Sequence, residues 1–197
     1  MVTVMEEKYK MGIFGSASER QEPEQVKKAA QLGEALARRG CRVVTGACGG
    51  LPYAAAEAAA KLKGVVWGFS PAADRGEHVR WYPGQDMGIY TKMTYVPKEI
   101  ATRGGAVCRK YRNVISTAHC DAGIIIASRW GTMHEFCSLY DYGKVIGVLT
   151  QTGGVADELL GLCKKINKDT GAKVFFNRAP EQLVETVRQE LELRRKV

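Results

Sequence analysis

The chain has 197 residues with 45% hydrophobic content, 25% charged residues and a formal net charge of +8. That length and apolar share exclude a disordered or fibrous class and suit one folded domain, expected over residues 9–197, with residues 1–8 as a flexible start. No run approaches the roughly 18 apolar residues needed to cross a bilayer, so a cytoplasmic protein without membrane contact is expected. The positive charge is spread, and its densest run, Arg194-Arg195-Lys196, lies at the C-terminal end. Without basic residues interleaved with aromatics, the charge suits a phosphorylated small molecule better than a nucleic acid.

The six cysteines are dispersed, with no Cys-x-x-Cys pair. Zinc spacing is absent, no metal or cofactor is expected, and the thiols read as reduced and mostly buried.

In chain order the pattern alternates strand and helix. Residues 11–14 read as a strand followed by the small-residue turn Gly15-Ser16-Ala17-Ser18. Residues 23–39 have helical apolar spacing, with Pro23 in the first turn and Gly40 as the stop. A strand at 42–45 leads into Gly46-Ala47-Cys48-Gly49-Gly50 and an alanine-rich helix at 54–62. A glycine loop between strand and helix can bring amides to a phosphate, but it can equally be a tight turn for close helix packing. Cys48 in that loop reads as a small packing residue, or as a reactive thiol if the loop fronts an anion.

A strand at 64–70 precedes a long irregular stretch at 71–92, in which His78 reads as a surface loop residue. A short strand at 93–96 and a helix at 106–118 follow. Arg109, Lys110 and Arg112 on that helix read by composition as a solvated basic face.

Next comes the acid Asp121 and an apolar run through Ile124, Ile125 and Ile126, the composition of a strand buried on both faces of a parallel sheet. The run breaks at Ser128-Arg129-Trp130-Gly131, and a helix is expected from Thr132, whose pairing with Glu135 has the form of a capping box. Strands at 144–149 and 172–176 and helices at 155–163 and 180–194 complete the pattern. The fold class predicted is α/β: one doubly wound, mostly parallel, Rossmann-like sheet with helices on both faces.

Arg112, Asp121 nine residues on, and Gly131-Thr132-Met133-His134-Glu135, whose glutamate lies 23 residues after the arginine, match in spacing a known motif. They resemble the signature of the Lonely Guy family within a Rossmann-like nucleotide-binding superfamily once labelled lysine decarboxylases. Asp121, at the edge of a buried strand, reads as structural; the resemblance implies a homodimeric phosphoribohydrolase that acts on nucleoside 5′-monophosphates, with Arg112 and Glu135 as catalytic residues. It places the phosphate among Gly15, Ser16, Gly46, Ala47, Gly49, Gly50, Ser128, Arg129, Trp130, Gly131 and Thr132. The sequence departs from that family where Ala127-Ser128-Arg129 replaces Pro-Gly-Gly and where Asn113 replaces lysine. The Arg112-Asn113 pair looks more like a less characterised branch, some members of which carry molybdenum cofactor. The alternative is therefore a non-catalytic carrier of a nucleotide or pterin. Pyridoxal-dependent decarboxylation is excluded, because no lysine sits in the loops that would have to form the Schiff base.

Overall fold

The computed structural model describes residues 9–18, 20–166 and 168–196, so the expectation for residues 1–8 lies outside the described residues. Seven strands form one sheet: β1 (Lys10–Gly15), β2 (Arg42–Thr45), β3 (Val66–Phe69), β4 (Lys92–Thr94), β5 (Ala122–Ile126), β6 (Val145–Leu149) and β7 (Lys173–Asn177). Their order is β4-β3-β2-β1-β5-β6-β7, and all neighbouring pairs run parallel. Eight helices connect them: α1 (Pro23–Arg38), α2 (Gly50–Lys61), α3 (Arg75–Trp81), α4 (Lys98–Ala101), α5 (Gly105–His119), α6 (Trp130–Asp141), α7 (Val155–Lys165) and α8 (Pro180–Arg194). No helix among the described residues is long and apolar enough to cross a membrane.

The strand order has one functional consequence. From β1 the chain builds outward through β4, then returns beside β1 as β5 and builds outward on the other side. The helices that leave β1 and β5 therefore diverge, and a crevice opens beyond the carboxyl ends of those two strands. Gly15 pairs with Ile126 at that end. A Cβ on Gly15 would lie 2.5 Å from Ile126 Cγ2, so only glycine permits the approach.

All five residues of β5 are buried, as its unbroken apolar composition requires of a strand covered on both faces. On one face Leu32, Leu36, Leu51, Val184 and Val187 bring α1, α2 and α8 onto the sheet. On the other, Phe136, Leu139 and Leu159 do the same for α6 and α7, with Ile115 of α5 packed alongside. Asp121, just before β5, accepts from the Lys10 amide at 2.7 Å and lies 3.9 Å from Lys10 Nζ, at the end of the sheet away from the crevice.

Gly33 sets the spacing of α1 against α2, because a Cβ there would meet Ala55 O at 1.9 Å. Alanine gains about 1 kcal/mol in helix propensity, but prying two packed helices off a backbone carbonyl costs about 3 kcal/mol. Gly33→Ala is thus expected to lower the denaturation midpoint, and a midpoint at or above wild type would contradict this packing.

The sequence reading is corrected at several boundaries. The stretch 71–92 is not wholly irregular: α3 occupies part of it, capped by Asp74, whose side chain accepts from Glu77 N at 2.8 Å. His78 is not a surface residue but is 0% exposed in α3, with Nδ1 2.8 Å from Ser70 Oγ, and burial holds its pKa below the usual value. The fourth strand lies at Lys92–Thr94, α4 was not anticipated, and α2 starts at Gly50 rather than at 54. Helix α6 starts at Trp130, two residues before Thr132, with Arg129 at its N-cap.

Candidate functional site

The last correction bears on chemistry. With Arg129 as N-cap, Thr132 lies inside the first turn and Glu135 one turn deeper, so the pair does not form a capping box. Thr132 Oγ1 instead bonds Ser128 Oγ at 2.9 Å and also contacts the Glu135 carboxylate. Glu135 is 6% exposed and faces a cavity of about 540 Å³ at the crevice.

The walls of this cavity come from the end of β1, the loops that follow β1, β2 and β5, and helices α2, α5 and α6. Gly15, Ser16, Gly46, Ser128, Arg129, Gly131 and Thr132 line it, together with Arg112 and Glu135. Four other residues named from the sequence do not. Ala47 is buried in the core beneath its loop, and Gly49 is the N-cap of α2. Gly50 has φ +70°, and a Cβ there would lie 2.2 Å from Ser16 O, which also accepts from Leu51 N at 2.9 Å. These residues do the work of a tight packing turn. Trp130 is 81% exposed and turns away to line a neighbouring cavity of about 460 Å³.

Arg112 is not on a solvated face. It is 7% exposed, and its Nη1 donates to Gly46 O and, at 3.8 Å, to Cys48 Sγ. A Cβ on residue 46 would lie 1.4 Å from that Nη1, which is why the loop has glycine there. Arg112 Nε is buried without a hydrogen-bond partner. Arg109 and Lys110 also line the cavity, as do Cys48 and Asn113. Asn113 Nδ2 donates to Gly131 O at 3.2 Å, tying α5 to the first turn of α6. The sequence reading did not place Arg109 and Asn113 in the site. Arg109 lies three residues before Arg112 on one helix and so shares its face, which is a signal in the sequence; Asn113, the next residue, has no such signal.

Burial pushes the Glu135 carboxyl up to about 7 from an ordinary 4.5, against the pull of Arg112, Thr132 and Lys110. Burial works against the Arg112 charge as well, but Cys48 and Glu135 more than offset it and the guanidinium is held above its ordinary value. Among the described residues of the lining, Glu135 is the one acid beside four cationic side chains, Arg109, Lys110, Arg112 and Arg129.

Backbone donors face the same space. Among the described residues that line it, the amides of Ser16, Ala17 and Gly131 have no protein acceptor, nor has that of Trp130 just before Gly131, outside the lining. The pair on α6 also carries the positive end of that helix's dipole. Ser128 has φ +84° and Ala127 φ +51°. Each costs an L residue roughly 1–2 kcal/mol, so the turn keeps a glycine-like backbone although Ser128 stands where the Lonely Guy pattern has glycine.

Comparison with known proteins agrees with this architecture. The family model described as the SLOG cluster4 family matches residues 8–184. No curated protein matches the chain. Among solved structures, the X-ray structure of TM1055, a structural genomics target, superposes with TM-score 0.73 at 19% identity, covering 92% of this chain and 99% of that one. The molybdenum cofactor binding protein from the phototrophic bacterium Rippkaea orientalis gives 0.67 at 18% identity, covering 95% and 99%. DNA processing protein A from Helicobacter pylori, described by its single-stranded DNA binding mode, gives 0.62 at 20% identity, covering 96% and 85%. At these identities the likeness is one of fold. The expectation that nucleic acid is not a partner draws no support from the last of these.

Proposed function

The chain belongs to the SLOG cluster4 family, within the Lonely Guy-like superfamily, and from that premise we propose that it binds a nucleoside 5′-monophosphate and hydrolyses its N-glycosidic bond. The observation that carries this reading is a buried carboxyl with a pKa near neutrality, Glu135, in the same cation-lined cavity as Arg112 and the unpartnered Gly131 amide of α6. The phosphate would lie against the Trp130 and Gly131 amides and Arg129, leaving the ribose over Glu135.

Cleavage of the glycosidic bond leaves positive charge on the sugar and needs a water delivered to C1′. An ionised Glu135 balances that charge and takes a proton from the water as its oxygen bonds C1′; the C1′–N bond breaks, the base departs with the bonding electrons and takes up that proton, and free base and ribose 5-phosphate result. Arg112 is immobilised by Gly46 O and Cys48, so its charge is fixed in place before the ligand arrives. No step in this scheme requires a metal or an organic cofactor. The reading includes a cytoplasmic homodimer, as the Lonely Guy resemblance implies.

A second reading is a carrier that holds a nucleotide or pterin without cleaving it. It is favoured by the likeness to a molybdenum cofactor binding protein and by Arg129, which puts a cation where the hydrolases have glycine. Incubation with a panel of nucleoside monophosphates separates the two. Release of free base with stoichiometric ribose 5-phosphate supports the hydrolase, whereas saturable binding of the panel without release supports the carrier.

A further inference from the structure

The strained backbone at Ala127 and Ser128 needs something to hold it, and the restraint comes from the short connection after β6. Residues 150–154 connect β6 to α7. Within them Thr152 is 2% exposed; its Oγ1 accepts from Ala127 N at 2.9 Å and donates to Leu149 O at 2.7 Å. One residue beyond Gly154, Val155 N donates to Ser128 O at 2.9 Å. Gly154 itself has φ +60°, and a Cβ there would lie 2.1 Å from Ser128 O, so the two turns are in backbone contact.

The bracing turn is itself anchored on two sides. Asp157 accepts from Gln151 N at 2.6 Å and from Gly153 N at 2.8 Å. From α1, Gln25 Nε2 donates to Thr152 O at 2.6 Å and Lys28 Nζ to Gln151 O at 3.1 Å. Where a glycine at position 128 would adopt φ +84° at little cost, serine adopts it under constraint.

We propose that Thr152 is a positioning residue: through the Ala127 amide it holds the β5–α6 turn in the conformation that sets the first turn of α6, with the Gly131 amide, at the cavity. The inference rests on the reading of that turn as the anion cradle, and it accounts for how Ala127-Ser128 can stand in place of Pro-Gly. Its ligand is the same phosphorylated group, and Thr152 itself does not touch it.

The test pairs Thr152→Val, which keeps the shape and removes the hydroxyl, with Thr152→Ser, which restores it. Amide hydrogen exchange needs no ligand. Losing one buried hydrogen bond is expected to speed exchange at Ala127 by about tenfold in Thr152→Val, with β1, β2 and β5 protected as in wild type and Thr152→Ser returning Ala127 to wild-type protection. Affinity for adenosine 5′-monophosphate is expected to fall by about tenfold in the valine variant and to recover in the serine variant. Unchanged exchange at Ala127 in Thr152→Val overturns the brace. So does equal loss across the whole sheet, which would make Thr152 a general stability residue. If the wild-type protein binds no nucleotide, the proposed function fails, while the exchange result still decides the brace.

Discussion

Glu135→Gln is expected to lower hydrolysis of a nucleoside monophosphate by about 10²-fold or more, the usual scale for a lost acid–base group, while the ligand still binds. Glutamine is nearly isosteric and can keep the Thr132 contact, but it can neither ionise nor take a proton. A ligand-independent effect accompanies the change. The Glu135 carboxyl is raised from 4.5 to about 7 by burial, so the folded state binds its proton more tightly than the unfolded chain does. The stability linked to that proton is fully present below about pH 4.5 and is lost as pH rises through about 7. At pH above 7 the wild type bears a cost of up to about 3 kcal/mol for ionising a buried acid, and the glutamine variant does not. Glu135→Gln should therefore melt higher than wild type at pH 8 and lose that advantage as the pH falls. The wild-type rate should rise with pH to a plateau with a midpoint near 7, since the ionised form acts. Full turnover in Glu135→Gln, or a melting difference that does not vary with pH, contradicts this account of the residue.

Arg112→Met should have the larger effect on folding. The substitution removes the donor to Gly46 O and takes away the charge nearest in effect to Glu135, leaving two buried groups poorly compensated. Stranding buried polar and charged groups of this kind costs about 3 kcal/mol or more. The loss should be greatest at pH 8 and should shrink toward pH 5, because Glu135, without Arg112 to pull its pKa down, takes up a proton at still higher pH. Gly46→Ala is the companion: the arginine stays, but a Cβ 1.4 Å from its Nη1 forces the guanidinium out of place. Both variants should show weaker nucleotide binding in equilibrium titration and a lower urea midpoint. An Arg112→Met protein that unfolds and binds as wild type does would return Arg112 to the solvated face that composition suggests.

What could be read from the sequence had a local cause. The apolar run of β5, the helical spacing of α1 and the Pro-start, Gly-stop signals are decided within a few residues of themselves, and the alternation of elements follows from them. Arg112 and Glu135 meet at one cavity, Arg112 from the middle of α5 through its bond to Gly46 O and Glu135 from the second turn of α6. Other features were misread because adjacency in sequence stood in for direction. Trp130 is grouped with its neighbours in sequence, yet at the first helical position it turns away from the crevice and lines the next cavity. Gly49 and Gly50 were grouped with Gly46, although their freedom serves the close approach to Ser16. Helix α3 was missed despite a local cue, since Asp74 and Glu77 have helix-start spacing. The Thr152 brace had no cue at all, because it joins residues 25 positions apart that meet only when β5 and β6 pair.

The account depends on an anion settling at the first turn of α6, within the cavity that holds Arg112 and Glu135. Titrating the isotope-labelled protein with adenosine 5′-monophosphate, and in parallel with adenosine, tests this most directly through backbone amide signals. The prediction is that the monophosphate shifts Ser16, Trp130 and Gly131 saturably and that adenosine, lacking the phosphate, does so far more weakly. Shifts that leave those amides unmoved, or that are equal for the two ligands, would contradict the placement of the phosphate and with it the proposed chemistry.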